Sequence, residues 1–253
     1  MPVPLRRSLP CPGAWWDPCT HGPRRLLCGT LDAMEDMDAV TTQDSTVEDW
    51  TRALAQSTGS PGGGAGTGLM LAVAASLASM VAGYTEPGES ERAELQRVRM
   101  QAQALRKDAL RLADQDATAA RAFGAAFRLE PGADRDDAIS RASVAAAKAS
   151  AELGVRAIEA IDDLAWLAVH GNGALIADVV VAFGALRATV AGARTNVSFD
   201  LAVLTSHGNT MDQIREQHPE LWRKVSDLNA ALERIDSLTE GIDHRAAPTD
   251  AVQ

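Results

Sequence analysis

Cysteine is nearly absent from this sequence: three occur, Cys11, Cys19 and Cys28, all within the first thirty residues. The folded body therefore holds no cysteine nucleophile, no disulfide framework and no zinc–thiolate centre, and the three spacings match no zinc pattern. Cysteine usage of this kind reads as reducing cytoplasm. Aromatic residues make up only 4% of the chain, and β-branched residues never gather into alternating runs, so no strand is expected. Basic residues are in deficit: 24 Lys and Arg stand against 34 Asp and Glu, a net charge of −10. That balance offers no basic face to nucleic acid or to an anionic membrane surface. Long apolar runs are missing too. The longest, 69–82, is about fourteen residues with two serines. It suits a core helix and falls short of the roughly 20 apolar residues that a membrane span needs. Arg6-Arg7 opens no twin-arginine export signal, because Pro10, Pro12 and Gly13 replace the apolar stretch that must follow. Histidines at ligand spacing are lacking: His170, His207, His218 and His244 are scattered, with no His-x-x-x-His or Glu-x-x-His, so no metal is expected. No nucleophile elbow for Ser-His-Asp chemistry occurs either.

What the chain does have is alanine and a helical period. Alanine is the best helix former and has no bulk to hold backbones apart. The 253 residues suit one large domain, or one domain with tails, and the expected architecture is all-α, a bundle of long helices with a Gly-rich turn near the N-terminus. Residues 1–40 stand apart: six of the eleven prolines and Trp15-Trp16 lie there without any period. They read as a disordered leader, or as a start-site artefact with Met34 or Met37 as the natural start. The helical domain is assigned to 41–240 and a flexible tail to 241–253.

Ser45-Thr46-Val47-Glu48 has capping-box spacing, and Val47, Trp50 and Leu54 share a face of a short helix. The Gly-rich run 59–66 is expected as a turn, followed by a small-residue apolar helix over 67–82. A long amphipathic helix is predicted over 90–129. Its stripe runs through Leu95, Val98, Ala102, Leu105, Ala109 and Leu112 toward Phe123 and Phe127. Glu130-Pro131-Gly132 stops it. Asp134, Asp136 and Asp137 open the next helix, predicted to reach about 169. Residues 174–206 form a further helix, apolar almost all round in its first half, which belongs in mid-bundle or at a subunit interface. Leu221, Val225, Leu228, Leu232 and Ile235 follow the four-three spacing of a docking seam.

Charges on buried faces are the informative positions. Asp116 lies four residues after Leu112 and seven before Phe123, on the apolar stripe, whereas Asp114 points some 200° away toward water. A carboxylate on such a stripe is either functional or tied to an arginine or a helix end, because its desolvation is costly. Asp178 sits among Leu175, Ile176, Val179, Val180 and Val181, so no rotation of its helix clearly exposes it. Asn196 and Asp200 share a face, and so do Asp178 and Asn196, about 27 Å apart along the helix. Gly62, Gly63 and Gly64 permit close backbone approach and aim free N–H groups at an acceptor. They form neither a Walker loop nor a dinucleotide fingerprint.

Four segments in order resemble the cyclodeaminase/cyclohydrolase family of folate enzymes. They are Ser60-Pro61-Gly62-Gly63-Gly64 leading into 77–82, then Leu112-Ala113-Asp114-Gln115-Asp116-Ala117, then Gly171-Asn172 with Asp178 six residues on, and Asn196-Val197. The likeness covers about 46–235. It implies an all-α homodimer that binds a tetrahydrofolate near the subunit interface and needs no other cofactor. The implied reaction is either hydrolysis of methenyltetrahydrofolate to formyltetrahydrofolate or release of ammonia from formiminotetrahydrofolate, by general acid/base catalysis. Asp116 and Asp178 are the implied catalytic residues, with Gly62, Gly63, Gly64, Asn172 and Asn196 on the substrate, and Arg106, Arg141 or Lys148 on its glutamate tail. Four positions depart from the family pattern: Ala177 and Asp200 replace a usual serine and asparagine, Gly173 a common proline, and Glu152 falls near a usual valine-proline pair. The first two leave open an alternative, a folate-binding or structural helical dimer without catalysis.

Overall fold

A computed structural model of the chain describes residues 40–57 and 60–246. The leader assigned to 1–40 lies outside these, apart from Val40. The tail expected from 241 is helical through Ala246, and its remainder lies outside the described residues. Among the described residues there are eight α-helices and no strand: α1 (Val47–Leu54), α2 (Gly63–Gly83), α3 (Arg92–Phe127), α4 (Ala133–Glu159), α5 (Ile161–His170), α6 (Ile176–Val203), α7 (Met211–Gln217) and α8 (Pro219–Ala246). The all-α expectation holds. α2 packs against α3 and α6, α4 against the same two, and α8 against α6 and α4. The main core gathers Leu71, Val98, Leu153, Phe183, Leu186 and Ile235, all inaccessible to water.

Small residues set the spacing. A Cβ on Gly68 would lie 2.7 Å from Ala113 Cβ, and one on Gly192 would lie 2.4 Å from Thr67 Oγ1. The backbones of α2, α3 and α6 therefore nearly touch, as alanine-rich helices allow. α2 and α6 run antiparallel. The Thr189 hydroxyl donates to the Thr67 carbonyl at 3.4 Å, while at the other end the Asn172 N–H donates to Thr85 Oγ1 at 3.0 Å.

Four local expectations are corrected. The first is at α1, which is capped by Thr46, whose hydroxyl accepts from the Asp49 N–H at 3.1 Å, so the capping residues start one position later than expected. Only Trp50 of its face is buried. The second is the triple glycine, which lies largely inside a helix: α2 starts at Gly63, with Gly62 as its N-cap. Packing against α3 offsets the roughly 1 kcal/mol that each helical glycine costs. The third is the helix expected to reach 169, which breaks at Ala160. Asp162 and Asp163 restart it where the dipole favours acids, and they are held there by Arg234 of α8 and Arg97 of α3. The last is α7, which was not foreseen, although Thr210 and Gln213 form a complete capping box at its start.

By length and composition alone, α2 and 173–206 are apolar enough to cross a membrane. The apolar window of α2 is 56% buried within the bundle, whereas that of the second segment is only 33% buried. Val181 and Phe199 of α6 are 58% and 72% exposed, and Met70 and Val73 of α2 and Tyr84 just past its end are exposed as well. An uncovered apolar face on two neighbouring helices needs a cover.

Candidate functional site

The Asp116 carboxylate reaches across from α3 to the first turn of α2. The N-cap of α2 is a glycine, with no side chain of its own to cap the helix. Asp116 takes that part instead: it accepts the Ala65 N–H, one of the amides that a helix start leaves without an internal partner. From α4, Ser150 Oγ donates to Asp116 Oδ1 at 3.1 Å. Asp116 is only 7% exposed. Burial pushes its carboxyl above the ordinary range, outweighing the Ser150 and Ala65 bonds that pull it down. The site exists because Gly64 has no side chain: a Cβ there would fall 2.1 Å from Asp116 Oδ2. The acceptor that the Gly-rich segment receives in this chain is thus its own Asp116.

The fourth wall is α6. Val197 and Leu201 pack with Ala147 and Ala151 of α4, the two alanines that bracket Ser150. This holds the turn containing Asn196 and Asp200 opposite the Asp116–Ser150 pair. Asp200 is half-buried. Burial first, and the negative charge of Asp116 second, push its carboxyl up to about 7. Asp114, expected off the stripe, is partly exposed and accepts from the Gln43 amide at 3.1 Å.

The structure does not bring the other sequence-derived residues to this point. Asp178 lies in the first turn of α6, half-buried, where the helix dipole favours an acid. It is twenty-two residues, about 33 Å, from Asp200 along one helix. Asn172 lies at the same far end and is occupied with local structure. Its Oδ1 accepts from the Ala174 N–H at 3.0 Å, and its Nδ2 donates to the Tyr84 carbonyl at 3.1 Å. Gly64, Ala65, Asp116, Ser150 and Asp200 form one group; Gly62 and Gly63 directly precede it, Asn196 lies one turn before Asp200 on α6, and Asn172 and Asp178 lie at the far end. Arg106, Arg141 and Lys148 are exposed, and Arg141 is 3.6 Å from Asp137.

Ser150 and Asp200 carry more here than sequence reasoning assigned them. Ser143, Ala147, Ser150 and Gly154 recur at threes and fours on the buried face of α4. Like Asp116, Ser150 is a polar group on an apolar stripe. A separate cleft of about 170 Å³ opens between α3 and the α4–α5 junction, beside Asp108, Arg156 and Asp163. Its buried acid, Asp163, is paired with Arg97 at 2.9 Å, and Glu159 with Arg156 at 3.1 Å. It offers no free acid comparable to Asp116.

A carboxylate shielded from water thus sits on a glycine-only helix start inside an all-helical bundle. Residues 46–218, more than half of the chain, match the model of the formiminotransferase-cyclodeaminase family, and the chain belongs to that family. Its fold is similar to that of formiminotetrahydrofolate cyclodeaminase from Thermotoga maritima, with a TM-score of 0.67 and 22% identity over 79% of this chain and 98% of that one. No curated protein matches the sequence.

Proposed function

We propose that this protein acts on a one-carbon unit carried by tetrahydrofolate, either releasing ammonia from formiminotetrahydrofolate or hydrolysing methenyltetrahydrofolate to formyltetrahydrofolate. The observation that carries this reading is the buried Asp116 carboxylate on the Gly64–Ala65 helix start, in a chain of this family. Both reactions pass through a tetrahedral carbon between N5 and N10 of the folate, and both have a cationic species to support. A shielded carboxylate provides the negative field and a proton acceptor at once. The Thermotoga neighbour, by its description, points toward the ammonia-releasing reaction. One observation favours a second reading, a folate-binding helical dimer without turnover: Asp116 already has a structural task in capping α2. The assay that decides mixes purified protein with formiminotetrahydrofolate and follows the appearance of the near-ultraviolet band of methenyltetrahydrofolate, then follows its loss from methenyltetrahydrofolate itself. Turnover of one of them is expected. Silence in both, with folate still bound, would leave the second reading standing.

The uncovered face of α2 and α6 is the proposed subunit interface. α2 spans about 30 Å from Gly63 to Gly83. In the proposed dimer the two-fold axis lies perpendicular to α2, which sets one end of α2 beside the opposite end of its partner. The partner's Asp178 and Asn172 then approach the Asp116 group, which they cannot reach within one chain. Sedimentation at micromolar concentration is expected to give a dimer, and Val181→Asp to give a monomer with lost turnover. A wild-type monomer that turns over substrate would remove this arrangement.

A further inference from the structure

We propose that Asp114 is a positioning residue of this site: it latches residues 40–54 onto α3 so that Trp50 closes the corner between α2 and α3 beside Asp116. Its part in turnover rests on the folate reading above; the latch itself does not.

Asp114 and Asp116 lie two apart on α3, point to different sides of it and meet different partners. Asp116 turns inward to Ala65 and Ser150. Asp114 turns to the chain that precedes α1. Its Oδ1 accepts the Thr42 N–H at 2.5 Å, and its Oδ2 accepts from the Gln43 amide at 3.1 Å. Other acids of α3 are spent on arginines of the same helix, Glu94 on Arg97 and Asp108 on Arg111. Asp114 instead joins positions 71 and 72 residues apart in sequence. Hydrogen bonds to a carboxylate are about twice as strong as neutral ones, so two of them make a firm anchor for an irregular segment.

The anchor extends to Trp50. Its indole N–H donates to Thr42 Oγ1 at 3.0 Å, so Asp114 holds Thr42 by its amide and Thr42 holds Trp50 by its hydroxyl. Little else fixes α1. At eight residues it is too short to stand as a helix by itself. Val47 and Leu54, on the face expected to dock, are 76% and 38% exposed, and Trp50 is the one buried residue of the helix. The ring packs in one cluster with Ala65, Ala113 and Ala117. Ala65 supplies the N–H that Asp116 accepts, and Ala113 and Ala117 stand three before and one after Asp116 on α3. Alanine side chains are too short to fill the angle between two helices, and the indole fills it. Trp50 thereby excludes water beside Asp116. A carboxylate supports a cation far better in such a dry setting than in water.

Hydrogen–deuterium exchange on the full chain, read by mass spectrometry, tests the latch. In Asp114→Ala, peptides covering 40–54 and 63–67 are expected to exchange about tenfold faster, as loss of a bond to a charged group implies, with 71–82 unchanged. Asp114→Asn keeps an oxygen for the Thr42 N–H and should restore most of the protection. Trp50→Ala should reproduce the loss at 63–67. Unchanged protection at 40–54 in Asp114→Ala overturns the latch, and a loss there without one at 63–67 overturns its link to Asp116. In steady state, Asp114→Ala is expected to lower kcat about tenfold with KM little changed, because Asp116 becomes wet while contacts to the substrate remain, and Asp114→Asn to recover most of it. An unchanged kcat with the segment loosened overturns the positioning role. The expected exchange pattern in a protein that turns over neither folate upholds the latch and removes the folate reading instead.

Discussion

Asp116→Asn lowers turnover of the folate substrate by about 10²- to 10⁴-fold, the usual worth of a positioned acid or base, with little change in helix content or melting temperature. The asparagine amide is close to isosteric. Its oxygen still accepts the Ala65 N–H, and the Ser150 hydroxyl can turn to accept from the amide nitrogen, so the cap on α2 survives. It also removes the cost of burying a charge, the effect that dominates at this carboxyl. A purely structural carboxylate would show the reverse pattern, with activity kept and the melting temperature changed. Steady-state rates beside circular-dichroism melts separate the two. Near-wild-type turnover in this variant sinks Asp116 as the proton acceptor.

The stripe that carries Asp116 was legible because one helix wrote it. Leu95, Val98, Ala102, Leu105, Ala109, Leu112 and Asp116 recur at threes and fours, and all but the half-buried Leu105 are buried. The docking seam of α8 was legible for the same reason: Leu221, Leu228, Leu232 and Ile235 are buried. Helix ends were less so. The break at Ala160 depends on arginines 60 or more residues distant in sequence, Arg97 before it and Arg234 after it, and no local pattern at 157–163 contains that information. The site was half legible. Sequence spacing marked Asp116 and the glycines, but not the fact that each is the other's partner. That is a contact between helices, set by how closely α2 approaches α3. Asp178 misled for a related reason. An acid among aliphatic residues looks buried in a one-dimensional reading, yet the first half of α6 is the part of the bundle left half uncovered. Its apolar neighbours report an outer face as much as an inner one. Asp200, noted in sequence as sharing a face with Asn196 and as a departure from the family pattern, has its carboxyl pushed up by burial and by the charge of Asp116 on α3.

Gly64→Ala is the sharper test of that close approach, because two effects of known size oppose each other. Alanine is the better helix former at this position by about 1 kcal/mol, so propensity alone predicts a more stable protein. Against this, the new Cβ would lie 2.1 and 2.2 Å from the two carboxylate oxygens of Asp116. Asp116 is a short side chain tied to Ser150 and Ala65, so it cannot swing aside without leaving both. One turn on, a Cβ on Gly68 would lie 2.7 Å from Ala113 Cβ, so α2 and α3 are packed as closely there. Overpacking of this kind costs about 2–3 kcal/mol beyond the propensity gain, and a loss of that size lowers the melting temperature of a domain this long by roughly 5–10 °C. Turnover is expected to fall at least as far as in Asp116→Asn, because the carboxylate is displaced along with its donors. The neighbouring substitution is the control for packing: nothing lies within 4 Å of a Cβ on Gly63, so Gly63→Ala should leave stability unchanged or slightly raised. If the two variants behave alike, the helix start does not hold Asp116 in the way described, and the acid/base reading loses its geometric basis.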